Sequence, residues 1–368
     1  MAARPPYFRD VSDAQWNDWK WQQAHRIRSL EVLEQVLVLS DDERQAVVQA
    51  GAKFAMAITP YYASIMDRED PKCPVRRQAV PVMAELEVAA SELEDPLAED
   101  SHMPVPNLTH RYPDRALLYA THNCPVYCRH CNRKRKVGDP TSAPKRDELV
   151  EAIDYVRKTP AIRDVLVSGG DPLTMADQRL VAVLADLRSI PHLEIIRIAT
   201  RNPVTLPMRI TPELVSQLRA FHPLFVNTHF NHEKECTEEA GRALTTLADA
   251  GCVVGNQMVL LKGINDDPSM VRRMNQWLLK HRCRPYYIFQ CDSVEGASHF
   301  RTPVESGVNI IRALRGWTSG LAVPHYVVDL PNGGGKVPVQ PVYLTSHDGT
   351  QMKFVNYAGE AYTYEEGA

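Results

Sequence analysis

The sequence predicts an α/β fold: an incomplete (β/α)6-type parallel barrel, preceded by a helical extension and followed by a C-terminal segment. Three observations predict it. Short apolar or β-branched runs start at Ala116, Asp164, Glu194, Leu224, Val253 and Arg284, and the last five starts lie 29–31 residues apart. That interval is one strand plus one returning helix, the length of a right-handed βα unit. Amphipathic stretches such as "ITPELVSQLRAF" and "EEAGRALTTLADAG" fill the later intervals, with apolar residues at helical spacing. Polar residues gather where the runs end, around 168–171, 201, 227–229, 256–257 and 290–292. The C-terminal ends of the strands are where barrels of this kind do their chemistry.

Taken in order, residues 1–110 read as the helical extension. "SDAQWNDWKWQQAHRI" opens on Ser12, a good N-cap, and its Trp16, Trp19 and Trp21 read as aromatics packed onto the next layer,. The proline-punctuated "HMPVPNLTHRYPDR" reads as an ordered crossing segment,. Residues 111–300 carry the six strands. Residues 301–368 contain "PHYVVDLPNGGGKVPVQPVYL", which reads as an additional strand, a glycine loop and an extended piece, while the polar tail "YTYEEGA" is expected to be disordered,.

Composition narrows the function. With 44% hydrophobic and 24% charged residues, the 368-residue chain reads as an ordinary globular enzyme,. A net charge of -3 supplies no basic field for nucleic acid,. No apolar run approaches the roughly 18–20 residues that span a bilayer, and the start lacks a signal-peptide core, so a cytoplasmic location is expected. In that reducing compartment, clustered cysteines point to metal ligation or catalysis rather than disulfides. Of eight cysteines, Cys73, Cys236, Cys252, Cys283 and Cys291 stand alone and read mostly as small core residues.

The other three fall in "THNCPVYCRHCNRKR": Cys124, Cys128 and Cys131. Their spacing, C-x3-C-x2-C, does not repeat the two-residue gap of a zinc finger and supplies three ligands rather than four. Three thiolates on one loop can hold three irons of a four-iron cluster and leave the fourth open to a small chelating molecule. The competing reading is a zinc site completed by a distant ligand such as His130. On the loop after the first barrel strand, this spacing with Tyr127 before the last two cysteines resembles the radical S-adenosylmethionine enzymes. One βα unit later comes "SGGDP". After Ser168, the glycines Gly169 and Gly170 let backbone groups approach closely, and Asp171 offers a carboxylate to the methionyl amino group. Alone, that stretch would be only a strand-to-helix turn.

"PNGGGKVP" places Lys336 after three glycines. Such a lysine is either an exposed turn residue or a Schiff-base lysine that must reach a cofactor aldehyde and swing away. With "THRYPDR", "CRHCNRKR", "VLVSGGDPL", "NTHFNH", "RPYYIFQCD" and "VVDLPNGGGKVPV", nearly the whole chain resembles the lysine 2,3-aminomutase family. That resemblance implies a [4Fe-4S] cluster, S-adenosylmethionine and pyridoxal 5'-phosphate. It also implies an isomerase that moves the α-amino group of L-lysine to the β-carbon to give β-lysine. It further implies Lys336 as the pyridoxal lysine, Arg111 and Arg115 as ligands of its phosphate, and Arg133 as the clamp on the substrate carboxylate. His229 and Gln257 fall where the family contacts S-adenosylmethionine, and Asp292 and Asp329 where it holds the distal ammonium of the substrate. Two carboxylates there favour a cationic side chain over glutamate. L-Arginine is the alternative substrate, and a radical enzyme modifying a protein lysine is the rival from another class.

The resemblance also carries an electron donor such as flavodoxin or ferredoxin, and a homo-oligomer. Two departures stand out. Family members carry a cysteine-rich tail that joins another cysteine in a zinc site, but here the chain reads "YTYEEGA" and the partner position is Asp267. No structural zinc is therefore expected. Phe289 replaces an expected tyrosine, which removes a hydroxyl near the cofactor.

Overall fold

A computed structural model describes residues 4–139 and 143–367. Nine strands form one curled sheet in chain order: β1 (Leu108–Tyr112), β2 (Arg115–Thr121), β3 (Asp164–Gly169), β4 (Ile195–Ala199), β5 (Leu224–Thr228), β6 (Val253–Leu260), β7 (Cys283–Gln290), β8 (His325–Leu330) and β9 (Gly335–Pro338). From β2 to β8 every pairing is parallel, and β1 and β9 flank them antiparallel. Helices Arg146–Lys158, Asp177–Arg188, Pro212–Leu218, Glu238–Asp249, Pro268–Lys280 and Val304–Leu314 each return the chain after one of β2–β7. Six βα units and one further parallel strand make the incomplete barrel the sequence predicts.

The local causes are legible. In "TEEAGRALTTLAD", Thr237 accepts from the Ala240 amide at 3.1 Å and starts the helix Glu238–Asp249,. Ala240, Ala243, Leu244 and Leu247 then share one face and are buried against the sheet layer,. Leu244 is fully buried, so its truncation to alanine would cost about 2–5 kcal/mol. The N-terminal region joins the same core: Ile27, Leu33, Tyr61 and Tyr62 belong to one buried cluster with Val165, Ile196 and Val226 of the strands.

Two expectations gain detail and one is corrected. The tryptophan segment is two short helices, Asp13–Trp16 and Trp19–Ala24, because Asp18 accepts from the Lys20 amide and caps a second start. Trp16 is nevertheless buried, with Phe8 and Trp21 packed around it. The crossing segment contains β1, whose polar "LTHRY" pairs with β2 through its backbone. The tail is not irregular: β12 (Ala361–Glu365) pairs with β11 (Gln351–Val355), which pairs with β10 (Leu344–His347). Its tyrosines and threonine favour strand, and its full exposure leaves no burial pattern to read,. Among the described residues, no helix is long and apolar enough to cross a membrane.

Candidate active site

The cysteine loop leaves the C-terminal end of β2 and is braced by the end of β3. The Gly170 and Asp171 amides donate to the Thr121 and Asn123 carbonyls at 2.5 and 2.8 Å. A Cβ on Gly169 or Gly170 would lie 2.4 Å from those same carbonyl oxygens, and Gly169 sits at φ +104°. Only glycine allows the two backbones this close. Ser168 is buried at the same strand end. The Asp171 carboxylate accepts from Thr200 Oγ1 (2.7 Å), the Arg201 amide (2.7 Å) and the Leu173 amide (3.0 Å). Three donors of its own chain occupy it, so it holds the turn together.

Cys124, Cys128 and Cys131 lie partly covered on this loop, as free thiols. Burial first, then Asp171 and the neighbouring thiols, pushes Cys124 well above the usual thiol range. Burial and Cys128 push Cys131 up likewise. Thiolates gathered here need a positive partner, which a bound metal cluster supplies. The donor set therefore fits an iron–sulfur cluster. Among the described residues, no three His, Cys, Asp or Glu side chains gather around a single-ion site; His130 instead stacks on His229, with centroids 5.5 Å apart.

Beside the loop, the end of β5 holds three buried polar atoms with no hydrogen-bond partner among the described residues: Asn227 Nδ2, Thr228 Oγ1 and His229 Nε2. Burial, with Arg201 nearby, lowers the His229 pKa to about 3 and keeps the ring neutral. Such orphaned groups fit a polar ligand. Gln257, half-buried on β6, lies one strand further on.

At the other end of the site, β8 and β9 set Asp329 opposite Lys336. Lys336 Nζ lies 2.6 Å from Asp329 Oδ2, and Arg111 Nη2 lies 3.1 Å from Oδ1. Arg111 and Arg115 flank the Tyr112 ring at 4.9 and 3.9 Å, and Arg115 pairs with Asp114. The Lys336 amide donates to the Tyr112 hydroxyl at 3.0 Å, joining the two edges of the curled sheet. Lys336 therefore stands on a strand rather than on the glycine loop, which is a compact turn before it. Its Nζ lies 5.4 Å from the Phe289 ring centroid. A lysine among cationic side chains and an aromatic ring fits pyridoxal phosphate.

Asp292, past the end of β7, accepts from Asn132 Nδ2 at 2.8 Å. Burial raises its pKa to about 6; the Asn132 bond opposes this and the charge of Asp329 adds to it. Arg133 forms a forked pair with Glu99, Nε to Oε1 at 2.9 Å and Nη2 to Oε1 at 2.6 Å. Cys131, Asn132 and Arg133 are consecutive, so one loop reaches a thiol ligand, Asp292 and Glu99.

Sequence reasoning missed four participants. Asn132 and Tyr112 sit inside motifs that were read for their neighbours. Glu99 lies in the acidic run "EDPLAED", with no motif to mark it. Arg201 was visible only as a strand-end polar residue, yet its buried guanidinium contacts Cys128 Sγ at 2.7 Å and Glu235 at 2.7 Å.

A partial parallel barrel with a three-cysteine loop after its first parallel strand defines the radical S-adenosylmethionine class, and residues 118–273 match the model of the Radical SAM superfamily. Residues 311–368 match the model described as Lysine-2,3-aminomutase. The chain is 52% identical to L-lysine 2,3-aminomutase of Clostridium subterminale, covering 98% of this chain and 86% of that one. It is 49% identical to the Bacillus subtilis protein of the same name (98% and 76% covered) and 42% identical to glutamate 2,3-aminomutase of Clostridioides difficile (96% and 84% covered). The chain belongs to the lysine 2,3-aminomutase family. Membership of the radical class brings a [4Fe-4S] cluster, S-adenosylmethionine and the need for a reductant.

Proposed function

We propose that this protein moves the α-amino group of L-lysine to the β-carbon, giving β-lysine, with pyridoxal phosphate as its second cofactor. The lysine enzymes are the more similar relatives, but a glutamate enzyme also matches, so the substrate must be argued from the site. The observation that carries the reading is the pair Asp292 and Asp329. Both are at least partly buried, and the Asp292 carboxylate feels the charges of Asp329 and Lys336. They would repel a second carboxylate, and an uncharged side chain would leave Asp292, bonded to the neutral Asn132 amide, without a counter-charge,. Asp329 already holds a primary ammonium at 2.6 Å, that of Lys336, and the ε-ammonium of lysine presents the same chemistry.

Roles for the chain's own residues follow. Cys124, Cys128 and Cys131 hold the cluster. Gly169 and Gly170 keep the strand end open to S-adenosylmethionine, with Ser168, Asp171, His229 and Gln257 as its polar contacts. Lys336 binds pyridoxal, and Arg111 and Arg115 hold its phosphate. Arg133 orients the substrate carboxylate. When bound, the cluster with S-adenosylmethionine supplies a hydrogen-abstracting radical, and pyridoxal phosphate supplies a π-system for the migrating amino group. The buried site keeps water from both.

Asp267 accepts from the Ser269 and Met270 amides as an N-cap, a role that supports the absence of a zinc at this position. Reduction by a donor such as flavodoxin or ferredoxin, and homo-oligomer assembly, complete the proposal. The test is anaerobic incubation of the reduced, reconstituted protein with L-lysine, L-arginine and L-glutamate separately. β-Lysine as the main product supports the reading; faster turnover of glutamate overturns it.

A further inference from the structure

Arg133 is a partly buried cation whose orientation is set from one side. Its Nε and Nη2 edge is closed by Glu99, at 2.6–3.0 Å. No hydrogen bond to Nη1 occurs among the described residues, and the side chain keeps 17% exposure against 6% for Glu99. A guanidinium has two forked edges that match a carboxylate. One is filled by Glu99, and among the described residues no hydrogen bond fills the other.

Glu99 is itself fixed. Thr109 Oγ1 donates to its carbonyl at 3.3 Å and meets the Tyr119 hydroxyl at 3.0 Å. The Tyr119 ring lies under the Arg133 guanidinium, 5.6 Å from centroid to Cζ. Arg135 Nη2 approaches the same carboxylate at 3.8 Å. Burial alone would lift the Glu99 pKa, but Arg133, then Arg135, hold it below the usual range. The carboxylate is therefore held in its charged form beside Arg133.

We infer that Glu99 is a positioning residue that locks one edge of Arg133, so that the other is presented to the α-carboxylate of the amino-acid substrate. This rests on the reading of Arg133 given above. Two effects of removing the charge oppose one another. Loss of a nearby negative charge would favour an incoming carboxylate. Against that, a glutamine would turn amide hydrogens toward guanidinium hydrogens and leave a buried cation short of acceptors, so Arg133 would rotate off its line. Buried cations left unpaired are the larger penalty, so weaker carboxylate recognition is expected.

The test is calorimetric binding to the unreduced holoenzyme, where no turnover occurs. The ligands are L-lysine and 1,5-diaminopentane, which is lysine without its carboxylate. Glu99→Gln should weaken L-lysine at least tenfold and change 1,5-diaminopentane less than twofold, with thermal unfolding and pyridoxal loading retained. Equal weakening of both ligands, unchanged binding of L-lysine, or tighter binding of it would each overturn the inference. If Glu99→Gln does not fold, Glu99→Asp decides: its shorter reach should give the same selective loss, and a loss shared by both ligands refutes the positioning role. Arg133→Gln is the control on the underlying reading. If it too leaves the ratio of the two affinities unchanged, Arg133 is not the carboxylate clamp, whatever Glu99 does.

Discussion

Asp329 and Lys336 face one another across the antiparallel pair β8–β9, with Oδ2 and Nζ 2.6 Å apart and the carboxylate almost wholly buried. The relationship is set by backbone register. The turn at 331–334 is tight enough to bring residues seven apart into a cross-strand pair. Lys336 is therefore aimed by a strand and held by a charge.

The first prediction concerns that lysine. Borohydride reduction of the pyridoxal-loaded protein should fix the cofactor to Lys336 as a stable secondary amine, recovered by peptide mass analysis. Lys336→Ala should yield no such peptide and no turnover. A trapped peptide carrying another lysine would contradict the assignment.

Each of Cys124→Ala, Cys128→Ala and Cys131→Ala should lose the four-iron absorption and the cleavage of S-adenosylmethionine. Elemental analysis of the unmutated protein should find iron without stoichiometric zinc. Full iron content in any single variant would show that its thiol is not a ligand.

Gly170→Ala places a methyl group 2.4 Å from a backbone oxygen of the cysteine loop. Relief of that overlap should cost about 1–3 kcal/mol of stability and reduce iron loading. Chemical unfolding and iron content measured together check this; wild-type values for both would mean that the loop has room to spare.

Substrate affinity should depend on pH through Asp292. Its pKa is about 6 in the ligand-free site, raised first by burial. A cation binds the ionised carboxylate, so affinity is complete above that value and falls as pH drops through it, by up to about tenfold per unit. Calorimetry with L-lysine on the unreduced holoenzyme should show this fall, and Asp292→Asn should flatten it at a weaker affinity. Asp292→Ala and Asp329→Ala should each lower kcat/KM by about 2–5 kcal/mol in transition-state terms. A flat profile in the unmutated protein would remove Asp292 from the ammonium site.

How far the sequence could be read depended on whether the signal was local. The strands β2–β7 announce themselves because buried parallel strands need β-branched runs, and the cysteine spacing is a fixed local geometry. β1 was hidden because an edge strand needs only backbone pairing on one side, and "LTHRY" offers no apolar run. Lys336 looked like a loop residue because three glycines mark flexibility, whereas Gly335 already belongs to β9. Glu99 and Arg133 are 34 residues apart, and Arg201 and Cys128 are 73 apart. Such charge pairs are created by folding, and no spacing rule in the chain foretells them.

Whether nitrogen moves from the α- to the β-carbon of lysine on this chain can be read by isotope labelling. L-Lysine carrying 15N at the α-amino group and 13C at C3 is incubated anaerobically with reduced enzyme and S-adenosylmethionine, and 13C NMR is recorded. A one-bond 13C–15N coupling should grow at C3 as β-lysine forms. Persistence of the label on C2, while S-adenosylmethionine is cleaved and the protein is fully loaded with iron and pyridoxal phosphate, would contradict it.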